Sequence, residues 1–171
     1  MKTVSIATLG CKVNQFESEA LLEALAREGY RSVPFGEKSD ITIINSCTVT
    51  HRADFQSRQM VRRAHRSNSD TLLIVTGCYA QVDPEGLSKI EGVKYLLGNQ
   101  EKNRMVDFLP LMERGELPKI QADDIQQEAS FADISLLSFH HHTRAFLKIQ
   151  DGCNGRCSYC AKDGNVGSKT T

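Results

Sequence analysis

The 171-residue chain carries no net charge, because 21 lysines and arginines balance 21 aspartates and glutamates. No global field therefore draws it to nucleic acid or to anionic lipid, and any such attraction must come from a local patch. No stretch approaches the roughly 18 consecutive apolar residues of a membrane-spanning helix. The N-terminus lacks a secretory pattern, since Met1-Lys2 leads into a short apolar run ending at Gly10-Cys11. No Gly-x-Gly-x-x-Gly follows that first run, which argues against a nucleotide- or flavin-binding turn. A cytoplasmic chain with no membrane partner is expected, and in the cytoplasm thiols stay reduced. Its six cysteines then read as metal or redox ligands rather than as disulfides. A hydrophobic fraction of 40% with 25% charged residues is ordinary for a globular protein and enough to bury a core. The length allows one comfortable domain, or one domain and the start of another.

The cysteines fall into two arrangements. Cys153, Cys157 and Cys160 form a C-x3-C-x2-C run that can close around one inorganic centre with local backbone alone. Cys11, Cys47 and Cys78 are separated by 36 and 31 residues, so only a fold can bring them together.

The first hundred residues repeat one rhythm. Apolar, β-rich runs at 3–9, 41–45 and 72–76 end in Gly10-Cys11, Ser46-Cys47 and Gly77-Cys78, and a fourth at 93–97 ends in Gly98-Asn99. Near-continuous apolar strands suit a parallel sheet covered on both faces. Between them, Asn14 with Glu17 makes a capping-box-like helix start, the stripe Ala20, Leu21, Leu22, Leu25 and Ala26 follows, and Gly29 stops it. Further helices are expected at 53–66, 84–90 and 101–112. Strand alternating with helix predicts an α/β fold, a parallel sheet flanked by helices with right-handed crossovers. Each dispersed cysteine directly follows a strand, so all three are expected at the carboxyl edge of the sheet, where open α/β sheets bind ligands. Three buried free cysteines acting as small hydrophobes is the plainer alternative.

Residues 1–113 are expected to form this domain, and the polar stretch 114–138, with Asp123-Asp124 and repeated glutamines, reads as a linker. From 139 a second domain begins, in which the alternating run 143–150 feeds Asp151-Gly152-Cys153. Arg58, Arg62 and Arg66 share a helical face and are candidate RNA contacts, although a solvated helix face is the plainer reading. The adjacent His140, His141 and His142 point in different directions and are not expected to bind metal.

Zinc sites usually supply four ligands, so three close cysteines leave one corner unfilled. An iron–sulfur cube held by three thiolates leaves one iron able to take an outside molecule, such as the amino and carboxylate groups of S-adenosylmethionine. A zinc knuckle or a stray redox motif remains compatible with the spacing. Tyr159, beside the last cysteine, is the kind of aromatic that shields a cluster.

The run Asp151-Gly152-Cys153-Asn154-Gly155-Arg156-Cys157-Ser158-Tyr159-Cys160 resembles the cluster motif of radical S-adenosylmethionine enzymes. Thr8-Leu9-Gly10-Cys11-Lys12-Val13-Asn14-Gln15-Phe16-Glu17-Ser18-Glu19, Asn45-Ser46-Cys47-Thr48-Val49-Thr50 and Gly77-Cys78-Tyr79-Ala80-Gln81 resemble the three signatures of the methylthiotransferase N-terminal domain. Within that family, Cys11-Lys12-Val13-Asn14-Gln15 is similar to the branch that modifies N6-threonylcarbamoyladenosine beside the tRNA anticodon; sister branches act on isopentenyladenosine or on a ribosomal protein. The resemblance implies that Cys153, Cys157 and Cys160 hold the radical-generating [4Fe-4S] cluster. It also implies that Cys11, Cys47 and Cys78 hold an auxiliary [4Fe-4S] cluster that carries the sulfur to be donated. It further implies S-adenosylmethionine as cofactor, the tRNA anticodon stem-loop as substrate, and an electron donor as partner. After the N-terminal domain, the start of a radical partial (β/α) barrel is expected.

Residues 161–171 are polar and glycine-rich and do not resemble the next strand of that barrel. The 171-residue polypeptide is therefore expected not to produce 5′-deoxyadenosine by itself. A non-catalytic iron–sulfur or RNA-binding module is the alternative from another class.

Overall fold

A computed structural model of the protein describes residues 1–123, Lys148, and the backbone of 151–152 and 168–169. The first unit is a six-stranded, wholly parallel sheet built from β1 (Thr3–Thr8), β2 (Arg31–Ser32), β3 (Ile41–Ser46), β4 (Leu72–Gly77), β5 (Val93–Leu97) and β6 (Ile120–Gln121). Its helices are α1 (Lys12–Arg27), α2 (His51–Ser67), α3 (Cys78–Val82), α4 (Pro84–Ser88) and α5 (Met105–Arg114), the last preceded by a 3-10 turn at Glu101–Arg104. This is the α/β fold expected. A further pair, β7 (Asp151–Gly152) and β8 (Ser168–Lys169), is antiparallel.

The spatial order is β2-β1-β3-β4-β5-β6. The chain leaves β1 toward one edge to form β2, then returns to the other side of β1 to form β3. The crevice beyond the carboxyl ends of β1 and β3 is therefore the topological switch point, where doubly wound sheets hold ligands.

Every residue of β3 is buried, and five of the six in β4. That is why these runs read as continuously apolar: alternate side chains enter different cores. Ile43 and Ile74 pack with Leu21 and Leu25 of α1 and Phe108 and Leu109 of α5. Ile44 and Val75 pack on the other face with Val61 and Ala64 of α2 and Leu87 of α4.

Four details differ from expectation. Helix α1 begins at Lys12 with Cys11 as its cap residue, and no side chain caps it. The capping box does not form because the Asn14 amide is drawn inward to the Leu9 and Ser46 carbonyls instead. Cys78 opens the short helix α3 rather than lying in a plain turn. The helix expected from 101 is a 3-10 turn first and α-helical only from Met105. Finally, the sheet continues past 113 into the stretch read as linker. Gly115 ends α5 in the left-handed region, and the chain returns to lay β6 beside β5, Leu96 opposite Ile120. A two-residue edge strand carries too little periodicity to be read from sequence. The remainder of that linker, 124–138, and most of the expected second domain lie outside the described residues.

Candidate metal centre at the carboxyl edge of the sheet

Strand register decides where the dispersed cysteines go. Thr8 stands opposite Asn45, Asn45 opposite Thr76, and Ser46 opposite Gly77. Cys47 and Cys78 thus each sit one residue beyond a matched pair, and Cys11 lies one residue further along its own strand end. Three adjacent strands deliver their cysteines to one rim. Cys47 and Cys78 are buried there and Cys11 is exposed.

The approach of the first two turns is close. Gly10 has φ +98, and a Cβ placed on it would lie 2.6 Å from both the Cβ and the Sγ of Cys47. Only glycine lets the backbone that carries Cys11 come so near the second thiol. Gly77, with φ +93, plays the same part for the third turn. A Cβ there would run into the Ser46 carbonyl oxygen and lie 2.5 Å from Asn45 Oδ1.

A buried polar network locks the three turns in register. Asn14 Nδ2 donates to the Leu9 carbonyl at 2.8 Å and to the Ser46 carbonyl at 3.1 Å, joining the Cys11 and Cys47 turns. Asn45 Nδ2 donates to the Asn14 carbonyl at 3.1 Å and to Ser18 Oγ at 2.9 Å. Ser46 Oγ donates to the Thr76 carbonyl at 2.5 Å and accepts from Ala80 N–H at 3.3 Å, joining the Cys47 and Cys78 turns. Ser57 of α2 clasps Cys47 itself: its Oγ accepts from the Cys47 N–H at 3.3 Å and donates to the Cys47 carbonyl at 3.1 Å. Buried backbone groups left unpaired are costly, so these side chains stand in for the ladder that ends at the rim. Sequence reasoning quoted Asn45 and Ser46 only as neighbours of Cys47 within a signature and did not mention Ser57. The visible signal was the pair of adjacent polar residues, Asn45 and Ser46, that closes β3 just before Cys47.

Among the described residues, no three of His, Cys, Asp and Glu are arranged to hold a single metal ion. A multi-iron cluster makes a different demand, because each thiolate takes a separate iron and the sulfurs stand further apart than ligands of one ion. The rim suits that demand in three respects. Its donors are thiols, the residue type that binds iron–sulfur centres; glycine backbone crowds the Cys47 sulfur where a side chain would fill the space; and the buried Asn45 Oδ1 has no hydrogen-bond partner. Cys153, Cys157 and Cys160 lie outside the described residues.

From the rim, α2 runs back along the sheet and carries the candidate arginines, Arg58 nearest the rim and Arg66 toward the amino ends of the strands, where Asn68 reaches the Ser39 carbonyl. Arg62 and Arg66 are exposed, as is Arg52. Arg58 donates to Tyr79 Oη and stands over its ring at 5.7 Å from the centroid, so it braces the residue following Cys78. Phe55 is 52% exposed on the same side of the helix as Arg62 and Arg66.

Glu17, on the second turn of α1, is a buried carboxylate with a lysine on each oxygen. Lys102 Nζ lies 2.6 Å from Oε2 and Lys148 Nζ 2.8 Å from Oε1. Burial pushes the Glu17 carboxyl up, but the two ammonium groups outweigh it and hold the group below its ordinary value. Lys102 also donates to Asn99 Oδ1, in the turn after β5, at 3.3 Å.

A doubly wound parallel sheet with three free thiols at its carboxyl edge defines the class of this domain as α/β. Residues 3–98, which contain the three rim cysteines and the first five strands, match the family described as Uncharacterized protein family UPF0004, and the chain belongs to that family. It is 39% identical over 160 residues to the threonylcarbamoyladenosine tRNA methylthiotransferase MtaB of Bacillus subtilis (strain 168), covering 94% of this chain and 36% of the relative. The MtaB of Aquifex aeolicus (strain VF5) is 37% identical over 158 residues, covering 92% of this chain and 38% of its own length. A ribosomal protein uS12 methylthiotransferase, RimO of Chloroflexus aurantiacus (strain ATCC 29366 / DSM 635 / J-10-fl), is 30% identical over 169 residues, covering 91% and 37%. The identities to the two MtaB relatives are higher than the identity to RimO. The chain spans little more than one third of the length of these relatives. Among the described residues, no helix is long and apolar enough to cross a membrane.

Proposed function

We propose that the chain is the cluster-carrying N-terminal part of a cytoplasmic tRNA methylthiotransferase. The protein would insert a methylthio group at C2 of N6-threonylcarbamoyladenosine, next to the anticodon. The observation that carries the proposal is the delivery of Cys11, Cys47 and Cys78 to one rim by three adjacent strands, with the first two flanking the switch point. Those three thiols would hold one [4Fe-4S] cluster, and Cys153, Cys157 and Cys160 a second. When bound, the clusters and S-adenosylmethionine supply the sulfur and the radical, with electrons from an external donor.

The residues of this chain do three things. Gly10 and Gly77 let the turns close. Asn14, Asn45, Ser46 and Ser57 hold them at fixed separation and remove water from around two of the thiols. The basic face of α2, with Arg62 and Arg66 exposed and Arg58 behind them on Tyr79, contacts the anticodon stem-loop, where Phe55 offers a ring on which an unstacked base can lie.

Anaerobic reconstitution of the 171-residue chain tests the metal assignment. Two cubes correspond to about eight irons per chain and one to about four, with matching sulfide. Replacing Cys11, Cys47 and Cys78 by alanine should remove about four and leave the others. Absence of bound iron in the unaltered chain would refute the assignment. In RNA binding, Arg62→Ala and Arg66→Ala should each lower the salt slope by about 0.7–1.

A further inference from the structure

We propose that Glu17 is a positioning residue that fixes the segment entering β7 against the cysteine rim, with Lys148 as its ligand across the chain. Three observations carry this. Lys148 lies 131 residues from Glu17, yet its Nζ sits 2.8 Å from Glu17 Oε1. The contact is dry, with side-chain exposures of 4% for Lys148 and 10% for Glu17. And the carboxylate is divided: Lys102, held also by the Asn99 turn, occupies the other oxygen at 2.6 Å.

The division matters physically. Glu17 is neutralised and oriented within its own domain by Lys102, so the oxygen facing Lys148 is presented in one direction before Lys148 arrives. A charge-assisted hydrogen bond from a pre-oriented, desolvated carboxylate is short and directional, unlike a surface pair. Lys148 can leave for water without stranding Glu17, since Lys102 remains. The contact therefore works as a reversible latch.

Its placement gives it a purpose. Glu17 lies six residues beyond Cys11 on one rigid helix, about 9 Å along the axis. Asp151, the first residue of β7, is three residues beyond Lys148, which allows at most about 11 Å of chain. Fixing Lys148 thus limits where β7 can stand relative to the Cys11 end of α1. The inference goes beyond the proposed function and holds whether or not the rim binds iron.

Amide hydrogen exchange on the full 171-residue chain, without metal, tests it. Lys148→Met leaves the Glu17–Lys102 pair intact. It should raise exchange at residues 148–152 by at least about tenfold, with amides of β1, β3 and β4 unchanged. Lys148→Arg, which retains a charged donor, should recover at least half of that protection on a logarithmic scale. Glu17→Gln combined with Lys148→Met should add nothing further at 148–152. Unchanged exchange in Lys148→Met would overturn the proposal. So would a uniform rise across the sheet, which would make Lys148 a general stabilising residue rather than a positioning one.

Discussion

Replacing Gly10 by alanine isolates the physical requirement for bringing the first two cysteine turns together. Two costs are separable. The first is backbone strain, since φ at Gly10 is +98 and an L side chain there costs about 1–2 kcal/mol. The second is crowding: the new methyl would stand 2.6 Å from the Cβ and Sγ of the buried Cys47, and overpacking of this kind costs about 1–3 kcal/mol. The Gly10→Ala loss is therefore about 2–5 kcal/mol. Gly29 supplies the control, because it has φ +85 but nothing within 4 Å of a built Cβ. Gly29→Ala should show the strain alone, about 1–2 kcal/mol and partly offset by a stiffer unfolded chain. With a urea slope of about 2 kcal/mol/M, the two midpoints should differ by about 0.5–1.5 M. Circular dichroism during urea unfolding measures both, and iron uptake on reconstitution should fall in Gly10→Ala only. If the Gly10→Ala midpoint is no lower than that of Gly29→Ala, the close approach of the turns is not a real constraint and the reasoning fails.

Three further outcomes are expected. Ser57→Ala should cost about 1–3 kcal/mol in urea unfolding, because it leaves the buried Cys47 N–H and carbonyl without the hydroxyl that serves both. Glu17 has a folded pKa below its ordinary value of 4.5, so between the two values the unfolded chain binds more protons. Its contribution is complete above 4.5 and is lost as pH falls through the folded value, so Glu17→Gln should flatten the acid limb of the urea midpoint against pH. Asp40, lowered by hydrogen bonds from Thr3, shifts the same way and stays in both proteins, so the difference reports Glu17. Arg58→Met should lower the protection of amides in α3 by freeing Tyr79, whereas Arg62→Ala should leave them unchanged.

Much of the fold was legible because the signals are local. The runs that became β1, β3, β4 and β5 are apolar on both sides, since both faces of the sheet are covered. Glycine or serine before each cysteine marked the strand ends. Less was legible of the site. That Cys11, Cys47 and Cys78 follow strands is a property of the sequence, but the polar clasp around them is not. Ser57 looks like any helix serine, and its use depends on where α2 crosses β3. Asn14 looked like a capping residue until the neighbouring turn supplied better carbonyls.

The amino-acid order alone determined the alternation of strand and helix and the thiol that follows each of three strands. These depend on side-chain periodicity and backbone sterics over a few residues. Tertiary structure alone decided that β1 lies between β2 and β3, that β6 closes the far edge, and that a lysine 131 residues away meets Glu17. Strand order and long-range ion pairs arise from which surfaces bury together. No short window of residues contains that free energy.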